Sequence, residues 1–255
     1  MDFPLLKKSL LVLYVLVSVP ILARADDEAK NKPVPTDFSM TAGSSFNNGN
    51  TDSKSIDLST SLTGAAFGSG DYRLSAEGHL SRSEPEDSCG KKTNVKNGKV
   101  EGKLSSPQLE NGTYLYLESS FFSDEIADVD FRAIEGIGGG ISLLKGKETT
   151  LSLEAGCSPM WEKIQGNTEY YTLFRFAQIF THAFANGASI NQKLEYMPAS
   201  TEKDKYLLNA SIELDSPLNK WVHLVLTLKN TFNSEPGADK DKNDTSLVAG
   251  LRLKL

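Results

Sequence analysis

The chain has 255 residues, 24% of them charged, a formal net charge of −6 and two cysteines. The length suits one large domain. The acidic balance argues against nucleic-acid binding, which rests on cations placed against phosphates, and two cysteines are too few for a disulfide framework.

Residues 1–25 read as an export signal. Lys7 and Lys8 precede an apolar run from Leu10 to Leu22, and Ala23-Arg24-Ala25 supplies a small-residue cleavage site near Ala25. The run falls short of the roughly 20 apolar residues a spanning helix needs. Its removal takes away Lys7, Lys8 and Arg24 together with Asp2, so the charge moves from −6 to −8. Residues 26–36, with Pro33 and Pro35, read as a flexible lead-in. No later stretch is a continuous apolar run of transmembrane-helix length.

From residue 37 to 255 the pattern is alternation with period two, the signature of a strand whose successive side chains point to opposite faces. The segments are Phe38–Asn47, Lys54–Phe67, Tyr72–Ser83, Val95–Ser105 and Thr113–Phe122. The hairpin Phe131–Cys157 follows, turning at Lys145-Gly146-Lys147. Then come Tyr170–Phe180, Ala188–Tyr196, Tyr206–Leu214, Trp221–Lys229 and a last strand reaching Leu255. In the second strand Ile56, Leu58 and Leu62 oppose Ser55, Asp57, Ser59 and Ser61; in the tenth Leu208, Ala210, Ile212 and Leu214 oppose Asn209, Ser211 and Glu213. Each segment is near the roughly 10 residues of a tilted spanning strand.

Two features favour a closed barrel over a β-sandwich, which would show the same alternation. Tight turns at Gly68–Gly70, Lys145–Lys147 and Ser216–Lys220 fall on the rim that also carries both chain ends. The third, seventh, ninth and eleventh connections, including a loop around Glu162–Thr168, are longer and more charged. Aromatic residues (Tyr72, Phe121, Trp161, Tyr196, Tyr206, Trp221) also sit near strand ends, as in interfacial girdles. The expected fold is therefore all-β, a closed antiparallel transmembrane β-barrel of about 12 strands. The side chains expected to face its lumen are Asp57, Glu77, His79, Glu118, Glu154, Lys193, Glu213 and His223. Glu135 falls on the apolar face in strict register, a position that a bulge or a place near the rim would relieve. The eighth segment, YYTLFRFAQIF, is apolar on both faces, as if it leans on something inside.

The stretches AGSSFNNGNTDSKSIDLSTSLTG (Ala42–Gly64), DVDFRAIEGIGGGISLL with TTLSLEAG (within Ala127–Gly156) and NQKLEYMPA (Asn191–Ala199) resemble the DUF481 family, the YdiY-like proteins described as salt-induced outer membrane proteins. The resemblance covers essentially the whole chain after the leader. It implies an outer-membrane barrel of undefined activity and brings no catalytic residues. Barrels of this type usually end in an aromatic residue; this chain ends in Leu255.

Motifs that carry chemistry are sparse. The glycine run Gly136–Gly140 lacks the strand-to-helix setting of a phosphate loop and reads as room for a neighbour to pack. Asp239–Asp244 starts like a calcium loop but lacks Gly at the sixth position and Glu at the twelfth. His79, His182 and His223 show no metal-ligand spacing. Neither a catalytic residue, a cofactor site nor a metal site is assigned. Cys89 and Cys157 read as a loop thiol and a small strand residue, with a bridge as the alternative. The reading is an outer-membrane barrel of the bacterial envelope, structural or stress-related, with a narrow passive channel for small solutes or ions as its transport role. The alternatives are a lipid-modifying barrel enzyme and a secreted soluble β-sandwich that binds a ligand. Its expected partners are outer-membrane lipids and the barrel-insertion machinery, as a monomer.

Overall fold

The computed structural model describes residues 36–48, 53–66, 70–83, 93–125, 127–202, 204–236 and 240–255. The leader, most of the lead-in, the turn at 49–52, the loop at 84–92 with Cys89, and Asp239 lie outside the described residues.

Twelve strands run in chain order: β1 (Asp37–Asn48), β2 (Ser53–Ala66), β3 (Gly70–Ser83), β4 (Thr93–Ser105), β5 (Thr113–Asp124), β6 (Val129–Lys145), β7 (Thr149–Ile164), β8 (Asn167–Ala183), β9 (Ser189–Pro198), β10 (Tyr206–Pro217), β11 (Val222–Asn233) and β12 (Asn243–Lys254). Each pairs antiparallel with its chain neighbours, and β1 pairs with β12 to close the ring. The closing seam runs to the last residue, where Phe38 and Leu255 exchange backbone hydrogen bonds. Closure leaves no unpaired sheet edge, the condition for a sheet to sit in lipid.

The radial distribution of polarity is inverted relative to a water-soluble barrel. On β2, Ile56 is 68% exposed while its neighbours Ser55 and Asp57 are 5% and 7% exposed. Leu117, Ile137, Leu226 and Leu251 are likewise exposed. A two-layer sandwich would bury the leucines, so the β-sandwich alternative is overturned. Outside, at the rim opposite the chain ends, Phe121 stacks on Phe131, Trp161 packs on Tyr170, and Tyr206 joins Tyr196 to Phe232. Amphipathic rings at this level form the girdle of a barrel in a bilayer.

The rim pattern is less regular than expected. The loop expected around Glu162–Thr168 is a two-residue hairpin turn, with Gln165 at φ 49° and Gly166 at φ 82°. Two successive positive φ values are the turn whose twist matches paired strands. β5 ends at Asp124 and β6 begins at Val129, only five positions later. Here β6, β7 and β8 are 17, 16 and 17 residues long, against 10 to 14 for the other strands.

Candidate functional site

The interior is filled unevenly. Its packed half begins with the glycine run. Tyr114, Tyr116 and Glu118 of β5 are paired across the ladder with Gly140, Gly138 and Gly136 of β6. Each long side chain lies over the glycine opposite, and a Cβ there would come within 2.4–2.6 Å of it. The glycines are a groove that lets two tyrosines and a glutamate lie flat against the wall.

Onto this surface reaches Arg175 of β8, 1% exposed. Its Nε meets Glu195 at 2.7 Å and Glu118 at 2.9 Å; its Nη1 donates to Glu154 and to Tyr116 Oη, each at 2.9 Å. Glu154 also accepts from Tyr114 Oη at 2.7 Å and from Lys103 Nζ. Glu195 takes a further contact from Lys193 at 3.0 Å. Three carboxylates thus meet three cations, and a guanidinium fork suits such a cluster better than an ammonium point charge. Above it, toward the girdle, Met160, Leu173, Met197, Ala199 and Leu207 form an apolar cluster with Ile134 and Tyr171 against it. This is what the doubly apolar strand β8 leans on: its outward residues Phe174 and Phe176 are exposed, and its inward Leu173 is buried. Arg132 and Tyr171 both donate to Glu162 beside this cluster, at 2.9 and 2.5 Å.

The other half is looser. A cavity of about 140 Å³ is enclosed by β1, β2, β3, β10, β11 and β12. Arg252 clasps Glu213 with two bonds, of 2.8 and 2.7 Å, and also reaches Asp215 at 2.9 Å. Asp215 accepts from His223 at 2.5 Å and pairs with Lys254 at 3.0 Å. His79 bonds Asp57 Oδ1. Glu77 of β3 meets Lys229 of β11 at 2.6 Å, a chord between strands four places apart around the ring.

The eight side chains named from the sequence therefore fall into two groups. Glu118, Glu154 and Lys193 belong to the packed half; Asp57, Glu77, His79 and His223 to the looser half with Glu213. Arg175, Tyr114, Tyr116, Lys229 and Arg252, around which both groups are built, were not singled out. For Arg175 a signal existed: it is the one charge inside an otherwise apolar segment. Among the described residues no group of His, Cys, Asp and Glu is arranged to hold a metal ion. Cys157 is a free thiol.

One position departs from inside-polar, outside-apolar. Glu135 keeps strict register: the shifts on β6 lie between Val129 and Phe131 and between Ser142 and Leu144, not at Glu135. No bulge relieves it there, and the carboxylate remains on the outer face, accepting from Ser119 Oγ at 2.8 Å.

A closed antiparallel ring with an apolar outer band, an aromatic girdle and a charged interior is an outer-membrane-type β-barrel. The chain belongs to the DUF481 family, described as proteins of unknown function, whose model matches residues 40–254. No curated protein matches the sequence. Solved structures that share the fold include the KdgM porin, at 12% identity over 84% of this chain and 98% of that one with a TM-score of 0.50. The NanC porin gives 9%, 85%, 100% and 0.55 in the same order. An outer membrane channel from Pseudomonas putida F1 gives 11%, 90%, 98% and 0.51. At such identities the likeness is one of fold.

Proposed function

We propose that the protein is an outer-membrane barrel of the bacterial envelope, exported by residues 1–25, inserted by the barrel-insertion machinery and monomeric, with a narrow passive lane for small polar solutes or ions. The observation that carries this is the uneven filling: one half is packed by the Arg175 cluster and the apolar residues above it, while the other keeps a cavity of about 140 Å³ lined mainly by hydroxyl and charged side chains. A barrel built only as a scaffold gains nothing from a polar slot beside a packed wall. Three barrels of the same fold are described as porins or as a channel, which agrees with this use.

A lipid-modifying enzyme is the weaker reading, because His79 and His223 each bond a carboxylate facing the interior, away from the acyl chains. Reconstitution into planar bilayers tests the proposal: small discrete conductance steps are expected, and a flat trace across salts and voltages removes it.

A further inference from the structure

The looser half of the lumen contains one carboxylate that its neighbours leave incompletely matched. Of the three that line the cavity, Glu213 is clasped by Arg252 and Glu77 is held by Lys229. Asp57 is bonded by His79 through Oδ1 alone. Its Oδ2 is buried and has no hydrogen-bond partner, in a residue only 7% exposed. A buried carboxylate oxygen without a donor carries its full desolvation cost, so something of opposite charge is favoured there.

The surroundings state what it is. Beside Asp57 the wall carries Ser59 and, across the ladder from Ser59, Thr41, whose Oγ1 also accepts from Arg252 Nε at 3.0 Å; Gly43, directly across the ladder from Asp57, adds no side chain. Hydroxyl and carboxylate oxygens are hard ligands, suited to hard cations. A divalent ion needs several free carboxylates; here two of the three are committed to Arg252 and Lys229, leaving one net negative charge.

We propose that Asp57 Oδ2, with the hydroxyls beside it, is a binding step for a small monovalent alkali cation inside the barrel. The site itself stands on geometry; its consequence for transport, a lane that favours cations over anions, rests on the channel reading above. The full barrel in lipid nanodiscs is titrated with sodium chloride and the sodium-23 line width followed by NMR. The expected result is broadening by the native barrel that potassium chloride displaces and choline chloride does not, and that falls at least several-fold in Asp57→Asn. Lys229→Met frees Glu77 beside the site and should increase the broadening. Folding of each variant is checked by heat-modifiable gel migration. Equal broadening by native protein and a folded Asp57→Asn overturns the proposal, and so does a Lys229→Met barrel that binds no more sodium than the native one. The reversal potential in a potassium chloride gradient separates the two readings. Conductance whose reversal potential is unchanged in Asp57→Asn sinks the cation-favouring consequence for transport and leaves the channel. Sodium binding that needs Asp57 in a barrel that passes no current sinks the channel and leaves the site.

Discussion

Tyr116 lies across Gly138, so close that a methyl group on the glycine would come within 2.4 Å of the tyrosine Oη. The same Oη accepts from Arg175, which ties the glycine groove to the charged cluster. The methyl would also come within 2.4 Å of the Ala155 carbonyl oxygen, so Gly138→Ala must shift backbone as well as the tyrosine and should lower the stability of the barrel by about 1–3 kcal/mol or more. Gly139→Ala is the internal control. Its Cβ would meet nothing nearer than 3.6 Å, so its urea midpoint in liposomes should equal or exceed the native value. Equal losses from the two substitutions would refute the groove.

Arg175 is surrounded by Glu118, Glu154 and Glu195. Removing it strands carboxylates in the interior, a change that typically costs about 3–5 kcal/mol. Arg175→Met should show a loss on that scale, read from tryptophan fluorescence during urea unfolding. Converting Glu118 to glutamine in the same chain should restore much of it, because Glu154 and Glu195 keep Lys103 and Lys193 while Glu118 has only Arg175 as its ion-pair partner among the described residues. A variant that stays as unstable after that second change would mean that packing, not charge, is what Arg175 supplies.

The fold was legible because a barrel repeats one message. Alternation such as Ile56, Leu58 against Ser55, Asp57 is written strand after strand, and an even strand count returns the chain to its start. What stayed hidden has a common cause: inside a lumen, polarity no longer separates strand from loop. Glu162 and Lys163 look like loop residues, yet Glu162 is 3% exposed and bonded to Arg132 and Tyr171. The pairings of Glu77 with Lys229 and of Arg175 with Glu118 depend on how far successive strands are staggered around the ring, which no single segment reveals. The apolar cluster under the girdle was visible only as a strand apolar on both faces.

Glu135 on the outer face costs stability in a bilayer, with Ser119 offsetting part of the cost. Glu135→Leu should stabilise the inserted barrel by about 1 kcal/mol, acidic residues being penalised less than Arg or Lys on a lipid-facing wall. Urea titration in liposomes is the readout. A less stable Glu135→Leu barrel would show that the carboxylate is held by something other than lipid.

At the girdle rim, Asp128 ties two connections together: its carboxylate meets Lys240 at 3.0 Å, and its carbonyl accepts from the Gln165 amide at 3.1 Å. The hydrogen bond from Lys240 holds the Asp128 carboxyl below its ordinary range. A depressed folded value means that the tie is at full strength above the unfolded pKa, about 3.9, and is lost as pH falls through the lower folded value. The group is exposed, so the effect on global stability is small. The expected signature is local: lower amide protection, each rate referred to the intrinsic rate at its pH, at Lys240–Lys242 in Asp128→Asn, and in the native protein only at strongly acid pH. Unchanged exchange in Asp128→Asn would remove the tie.

Glu77 and Lys229 come from strands four places apart and meet at 2.6 Å along the wall of the cavity. Neither is deeply buried, with side chains 27% and 35% exposed, so the pair can part at modest cost, unlike the Arg175 cluster. A chord of this kind narrows the lane where it crosses it. Glu77→Gln should leave the ammonium without its anchor and raise single-channel conductance in planar bilayers several-fold. The exchange Glu77→Lys with Lys229→Glu restores a pair of the same length in the opposite sense, so its conductance should return toward the native value. Both single exchanges place like charges face to face, and those barrels should pass the largest currents. Conductance indifferent to all of these substitutions would place the narrowest point of the lumen elsewhere.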